Sequence, residues 1–262
     1  MSSQLVVDNL TLTFGGLNAL TSVSLAVEAG SITSIIGPNG AGKTSLLNCI
    51  SGFYRAQSGS IRFEGVEIGG APPHRVSQLG IARAFQNIEL FSGLSVVDNL
   101  MLARHRHLAY GFWSSLVFYG RASQQEAENR AHVERVIDFM ELQPFRKAVV
   151  GELAYGVRKR IEMARALTLA PKLLLLDEPM AGMTLAEKED IVRFILDVQA
   201  EMGVTVVLIE HDLGVVMDIS DQVVVLDFGQ RIAAGTPQEV AADPAVIAAY
   251  VGENGWGDRA WA

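Results

Sequence analysis

The segment Gly37 to Thr44 reads G-P-N-G-A-G-K-T, a full match to the nucleotide-phosphate pattern G-x-x-x-x-G-K-[ST]. An apolar, strand-like segment at residues 31–36 precedes it, and a helical pattern from about Lys43 to Ile50 follows it. Glycines let successive amides turn toward phosphate oxygens, and the helix start adds its positive dipole end. A glycine-rich turn without a ligand is the alternative, but this strand and helix context favours a phosphate site.

The other patterns predict an α/β protein. Residues 173–176 and, apart from Thr205, residues 204–209 are continuous apolar runs, typical of parallel strands buried on both faces. Alternating residues near the N-terminus predict antiparallel strands, whereas residues 88–169 are mainly helical in pattern. We therefore expect a P-loop NTPase fold in one domain, residues 1–262. Residues 1–87 and 170–262 would form the α/β core with its parallel sheet, and residues 88–169 an inserted α-helical subdomain.

Two segments carry signals for the start of a helix. Ser123 and Glu126 have the spacing of a capping box, in which two side chains satisfy the first amides of a helix. Thr236 and Glu239 have the same spacing, and Pro237 between them suits the first helical position. We expect a helix to begin at each box.

Polar residues follow the two apolar runs. Asp177 and Glu178 end the first run, where open α/β sheets bind ligands, and His211 closely follows the second. Asp177 would hold Mg²⁺, and Glu178 would orient or deprotonate an attacking water. Taken singly, such carboxylates can simply be solvated, His211 can be a surface residue, and Gln86 can be a solvated loop amide. The interpretation depends on their order along the chain.

Charge and composition exclude several classes of protein. Lys and Arg number 21 against 29 Asp and Glu, a net charge of −8, so binding of nucleic acid by charge alone is not expected. The one cysteine, Cys49, cannot form an internal disulfide, which fits a reducing cytosolic setting.

No window of the sequence approaches the roughly 18 apolar residues of a membrane span. The aromatic segment Gly111 to Gly120 is too short to cross a bilayer; it could rest on a membrane protein or lipid, but packing within the helical insertion is favoured.

The order of these motifs resembles that of the nucleotide-binding subunits of ABC transporters over nearly the whole chain. The stretches G-I-A-R-A-F-Q-N-I-E-L-F, L-A-Y-G-V-R-K-R-I-E-M-A-R-A-L and the terminal G-T-P-Q-E-V…D-P-A-V-I-A-A-Y-V-G look like the branched-chain amino acid importer group. Within that group, the chain is similar to the subunit whose signature reads L-A-Y-G rather than L-S-G-G.

The resemblance implies a role for each matching residue. Phe14 would stack on adenine, although a core or edge-strand aromatic is the alternative, and Glu178 and His211 would be the catalytic base and the switch histidine. Lys43, the third predicted catalytic residue, would reach the β- and γ-phosphates. The remaining ATP contacts would come from Gly37, Pro38, Asn39, Gly40, Ala41, Gly42, Thr44, Ser45 and Gln86. Mg²⁺ would be held by Thr44, Gln86 and Asp177. The signature, which serves a partner's nucleotide, is Leu153, Ala154, Tyr155, Gly156 and Val157.

The chain departs from the family pattern in its signature and after Glu178. Ala154 replaces the usual serine, so one hydroxyl donor to the γ-phosphate is missing, and Tyr155 replaces a glycine. Val157 replaces a polar residue, and Thr184 stands where most relatives have an aspartate that couples the two sites. We expect asymmetry: a complete site on this chain's phosphate loop, a weaker site served by its signature, and therefore a heterodimer with a related ATPase subunit in preference to a homodimer.

The resemblance also implies partners and a cargo. We expect a peripheral ATPase on the cytoplasmic face of the plasma (inner) membrane, bound to transmembrane permeases and acting indirectly with a substrate-binding protein. Branched-chain or other apolar amino acids are the expected cargo, with urea or a related amide, and lipopolysaccharide export, as alternatives. Outside this class, the alternatives are a soluble P-loop kinase and a non-transport ATPase acting on ribosomes or DNA.

Overall fold

The computed structural model describes residues 3–84, 88–104 and 121–254, so Gln86 and the segment Gly111 to Gly120 lie outside the described residues. The chain divides into two compact units. The first is made of Met1–Gln86 and Lys172–Ala262, and the second of Asn87–Pro171. That the two units together form one functional domain remains a prediction.

The first unit contains an antiparallel sheet of four strands in the order β2-β1-β4-β5. The strands are β1 (Ser3–Phe14), β2 (Leu17–Glu28), β4 (Ser58–Phe63) and β5 (Val66–Glu67). Glu64 and Gly65 form the turn between β4 and β5, both with positive φ. This sheet confirms the antiparallel strands predicted near the N-terminus.

The same unit contains a six-stranded sheet in the order β10-β9-β3-β8-β7-β6. The strands are β3 (Ile32–Ile36), β6 (Ile81–Ala84), β7 (Leu173–Asp177), β8 (Thr205–Ile209), β9 (Gln222–Asp227) and β10 (Gln230–Gly235). All neighbouring strands are parallel except β10, which forms an antiparallel hairpin with β9. The predicted parallel core sheet is therefore confirmed.

Helices cover the six-stranded sheet and explain its continuous apolar strands. These helices are α1 (Lys43–Ile50), α2 (Pro73–Gln78), α6 (Leu185–Met202), α7 (Leu213–Ile219), α8 (Pro237–Ala241) and α9 (Pro244–Asn254). Ile35 belongs to a core shared with α1 and the antiparallel sheet, whereas Ile36 belongs to a core shared with α7 and α8. Since successive strand residues point to opposite faces, both faces must be apolar.

The second unit is helical. It contains α3 (Val96–Arg104), α4 (Arg121–Phe139), α5 (Tyr155–Leu167) and two short 3-10 helices at Gln143–Phe145 and Val150–Glu152. Arg104 joins the three α-helices, because its Nε donates to Asn129 Oδ1 at 2.8 Å and its Nη1 to the Thr168 carbonyl, just after α5, at 2.8 Å.

The two capping-box predictions have different outcomes. Thr236 caps α8, with Glu239 completing the box and Pro237 as the first helical residue, so that prediction is confirmed. The prediction at Ser123 is wrong, because α4 begins at Arg121 and Ser123 lies inside the helix. A box that sequence alone did not single out starts α6, where Thr184 accepts from the Glu187 amide and Glu187 accepts from the Thr184 amide.

Within the described ranges, none of the helices combines the length and apolarity needed to cross a bilayer.

Two adjacent residues of α6 allow a test of how this helix packs on the core. Ile195 is fully buried and Leu196 is 39% exposed. Ile195→Ala should lower the free energy of unfolding by about 2–4 kcal/mol, because it removes buried methyl groups and leaves a cavity. Urea denaturation followed by circular dichroism measures the loss. Leu196→Ala deletes an aliphatic side chain from the same helix and should cost less than about 1 kcal/mol; equal losses would contradict this packing.

Candidate functional site

The loops that follow β3, β7 and β8 meet at one edge of the six-stranded sheet, since the carboxyl ends of parallel strands lie together. A cleft of about 610 Å³ lies at this edge. Its walls include residues 39–45 of the phosphate loop, Glu178, His211, Phe14 and Phe228. The structure thus brings together the phosphate loop, the acidic residue, the histidine and the aromatic residue that the sequence placed at one site.

The phosphate loop is held tightly by backbone contacts. A Cβ added at Gly42, whose φ is 97°, would lie 2.5 Å from the Ala19 carbonyl oxygen. A Cβ at Gly37 would overlap the carbonyl oxygen of Leu226. Gly42 also occupies the N-cap position of α1, and a glycine cannot cover the first helical amides with a side chain. These amides and the helix dipole are therefore available for an anion.

Lys43 is folded back onto its own loop. Its Nζ donates to the carbonyl oxygens of Gly37 at 2.6 Å and Pro38 at 2.9 Å. The side chain is buried, and it lines the cleft together with Thr44 and Ser45. The ammonium is thus already positioned beside the loop that would hold the phosphates.

Asp177 is paired with a residue that the sequence analysis missed. Arg83 on β6 donates from Nη2 to Asp177 Oδ2 at 2.7 Å and from Nη1 to Asn48 Oδ1 at 2.6 Å and Ser51 Oγ at 3.1 Å. A buried carboxylate needs a compensating charge, and Arg83 supplies it. Its signal in the sequence was a cation within the otherwise apolar segment I-A-R-A.

The Asp177 carboxylate suits a metal ion, because Arg83 donates to only one of its two oxygens. Asp177 is 2% exposed, and its Oδ1 is buried with no hydrogen-bond partner among the described residues. Carboxylate and hydroxyl oxygens are the donors that Mg²⁺ prefers, usually completed by phosphate oxygens and water. By donor type, the Asp177 carboxylate and the Thr44 hydroxyl suit such an ion, and Gln86, the third predicted ligand, lies outside the described residues.

Glu178 and His211 are in direct contact. His211 Nε2 lies 2.8 Å from Glu178 Oε1, and the Glu178 amide donates to the Ile209 carbonyl at 2.9 Å. Glu178 has a φ of 49°, a left-handed conformation that directs it differently from Asp177. The pair faces the phosphate loop across the cleft, as a base and its orienting partner would.

Glu210 fixes the two loops that carry this pair. Its Oε1 accepts from the Met180 amide at 2.9 Å and its Oε2 from the His211 amide at 3.1 Å. Burial raises the pKa of Glu210 above its ordinary value, and the two backbone amides oppose that shift. Glu210 was another residue missed from the sequence, although a carboxylate at the end of the apolar run V-V-L-I is unusual.

Phe14 is an exposed residue of the cleft wall and not a core aromatic. Its ring is 45% exposed and meets the ring of Tyr54 edge to face, with centroids 5.1 Å apart. Leu17 and Phe228 also line the wall, at 73% and 84% exposure. No sequence signal singled out Phe228, because its position depends on the turn between β9 and β10.

The signature segment belongs to the second unit. Leu153 and Ala154 precede α5, and Tyr155, Gly156 and Val157 form its first turn. Ala154 occupies the N-cap position, where its methyl group cannot accept a hydrogen bond from the helix. The first amides of this 13-residue helix therefore lack a capping side chain, and they can bind an anion.

Comparisons with known proteins identify the family of the chain. The family model described as ABC transporter matches residues 20–181, and the model described as branched-chain amino acid ATP-binding cassette transporter matches residues 230–255. The high-affinity branched-chain amino acid transport ATP-binding protein BraF of Pseudomonas aeruginosa is 43% identical over 249 residues, covering 95% of this chain and 98% of BraF. LivG of Salmonella typhimurium, which has the same description, is 39% identical over 253 residues, again covering 95% and 98%.

Solved structures agree with the fold. A nucleotide-free ATP-binding cassette from an ABC transporter has a TM-score of 0.83 at 34% identity, covering 96% of this chain and all of that one. The ADP conformation of MJ1267, an ATP-binding cassette of an ABC transporter, has a TM-score of 0.84 at 33% identity, covering 97% of this chain and all of that one. The predicted resemblance and fold class are confirmed. The chain belongs to the ABC transporter family, as an ATP-binding subunit in the group of the branched-chain amino acid transport proteins.

Proposed function

We propose that this chain binds and hydrolyses ATP to power an importer of branched-chain or other apolar amino acids. The observation that carries the proposal is the 2.8 Å contact between Glu178 and His211, which faces a complete phosphate loop across one cleft. The similarity to BraF and LivG, which are branched-chain amino acid transport ATP-binding proteins, supports the cargo.

In the proposed reaction, the loop amides and the start of α1 hold the triphosphate, and Lys43 exchanges its two carbonyl partners for phosphate oxygens. Glu178, oriented by His211, accepts a proton from water while the water oxygen bonds to the γ-phosphorus. The bond from that phosphorus to the bridging oxygen breaks, and ADP leaves with the electron pair. Thr44, Asp177 and Gln86 would hold Mg²⁺, which neutralises phosphate charge when bound.

Two such subunits would sandwich two ATP molecules, each between one chain's phosphate loop and the other's signature. Because Ala154 lacks a hydroxyl, the signature would bind its partner's γ-phosphate mainly through the first amides of α5. A lost hydrogen bond to a charged group is worth about 1.5–3 kcal/mol. This difference supports a heterodimer with a second ATPase subunit, bound to permeases at the cytoplasmic membrane face.

The contacts of Thr184 show how it can replace the aspartate that most relatives have at this position. Its hydroxyl accepts from the Glu187 amide and its own amide donates to Glu187, so Thr184 keeps the N-cap role of an aspartate. It lacks the carboxylate that would couple the two nucleotide sites, which further supports asymmetry.

Removing the ammonium tests nucleotide binding. Lys43→Ala in the assembled transporter should lower ATP turnover by about 100-fold or more, because one preorganised phosphate contact is lost. A fluorescent ATP analogue and phosphate release measure affinity and rate. Lys147→Ala, at an exposed lysine of the second unit, is the control and should leave both unchanged. Unchanged binding and turnover in Lys43→Ala would overturn the proposal.

Removing the base tests both hydrolysis and asymmetry. Glu178→Gln should retain ATP binding and lower turnover by about 100-fold or more, whereas Glu189→Gln, at an exposed position on α6, should have no effect. The matching change in the partner ATPase should cost less, since the site completed by Ala154 contributes less hydrolysis. Equal losses from the two changes would contradict the asymmetry.

Cargo is tested in proteoliposomes that contain the permeases and both ATPase subunits. A substrate-binding protein loaded with leucine should stimulate ATP hydrolysis and leucine uptake, because cargo delivery drives closure of the ATPase pair. Stimulation by urea and not by leucine would favour the amide alternative. ATP hydrolysis that depends on extraction of lipopolysaccharide would favour export, and fractionation away from membranes would favour a kinase or a non-transport ATPase.

A further inference from the structure

The turn between β9 and β10 has an unusual residue at its tip. Phe228 and Gly229 are the two turn residues, with φ of 40° and 75°. Two-residue hairpin turns with both φ values positive favour asparagine, aspartate or glycine at the first position. A bulky residue with positive φ is an outlier that stores backbone strain, and strain of this kind is common at functional sites.

Nothing around the Phe228 ring within the described residues offsets this strain by burial, because the residue is 84% exposed. The turn between β4 and β5 offers a comparison: Glu64 and Gly65 have nearly the same φ values, 48° and 79°. The Glu64 carboxylate accepts hydrogen bonds from Lys172 at 2.6 Å and Gln4 at 3.3 Å. At Glu64 the side chain has partners in the fold, whereas the Phe228 ring is left facing solvent in the cleft.

The turn is also fixed in place. The Gly229 amide donates to the Ala41 carbonyl of the phosphate loop at 3.1 Å, and its carbonyl accepts from the Thr21 amide on β2 at 2.7 Å. A Cβ on Gly229 would lie 2.8 Å from the Ala19 carbonyl oxygen, so a side chain there would clash. The turn therefore holds Phe228 rigidly on the cleft wall, next to the loop that would hold the phosphates.

We propose that Phe228 binds the nucleoside part of the nucleotide, as an apolar contact separate from Phe14. The inference rests on the proposed function, because it assumes that the phosphate loop holds the triphosphate of the same molecule. The sugar and base then extend along the wall formed by Phe14, Leu17 and Phe228. Contact with the nucleoside removes the Phe228 ring from water and offsets the strain of its turn.

The test compares ATP with inorganic tripolyphosphate, which has the phosphates and no nucleoside. Isothermal titration calorimetry on the full chain gives both affinities. Phe228→Ala should weaken ATP binding by about tenfold and leave tripolyphosphate binding unchanged. Phe228→Asn should weaken ATP binding similarly and also raise the melting temperature, since asparagine suits the turn. A purely structural role for Phe228 would not combine higher stability with weaker ATP binding.

Two controls separate this inference from the proposed function. Glu64→Asn alters a turn of the same backbone geometry away from the cleft and should leave both affinities unchanged. Lys43→Ala should weaken both ligands; if it weakens neither, the proposed function fails. If Lys43→Ala weakens both ligands but Phe228→Ala binds ATP like the unaltered chain, the Phe228 inference alone is overturned. Equal weakening of both ligands by Phe228→Ala also overturns it, because the turn would then act through the phosphate loop.

Discussion

The site depends on close backbone packing around the phosphate loop. Gly37 lies against the end of β9 and Gly42 lies against β2. At both positions the neighbouring backbone leaves no room for a side chain. The hydrogen bond between Gly229 and Ala41 adds a third contact from the turn after β9. Because elements distant in sequence fix the loop, its amides are oriented before any ligand arrives. Such preorganisation lowers the free-energy cost of ordering the loop on binding.

Buried charges organise the other side of the cleft. Arg83 compensates Asp177 and links β6 and β7 to α1. Glu210 joins the loops after β7 and β8 through backbone amides, and so sets the spacing between Glu178 and His211. Each charged residue costs desolvation free energy, which hydrogen bonds in the fold compensate. The two reacting groups are thus held by side chains that take no part in the proposed chemistry.

Local patterns predicted much of the fold and the site. The G-P-N-G-A-G-K-T motif, the apolar runs and the motif order identified the parallel sheet, the phosphate loop and several of the residues that line its cleft. Arg83 and Glu210 were missed because their roles depend on partners 94 and 30 residues away. Phe228 was missed because a turn residue has no periodicity. At Ser123 the capping pattern was present, but α4 begins earlier at Arg121.

Lys43 stabilises the conformation of its own loop. Its ammonium neutralises the negative ends of the Gly37 and Pro38 carbonyl dipoles, so the side chain and the loop stabilise each other. In the proposed binding of ATP, the ammonium would exchange these carbonyl oxygens for phosphate oxygens, and only the difference between the two sets would contribute to affinity. In the proposed reaction, the reverse exchange would return the ammonium to the two carbonyl oxygens as ADP leaves. The proposed reaction would therefore need no unfolding of the loop when ADP leaves.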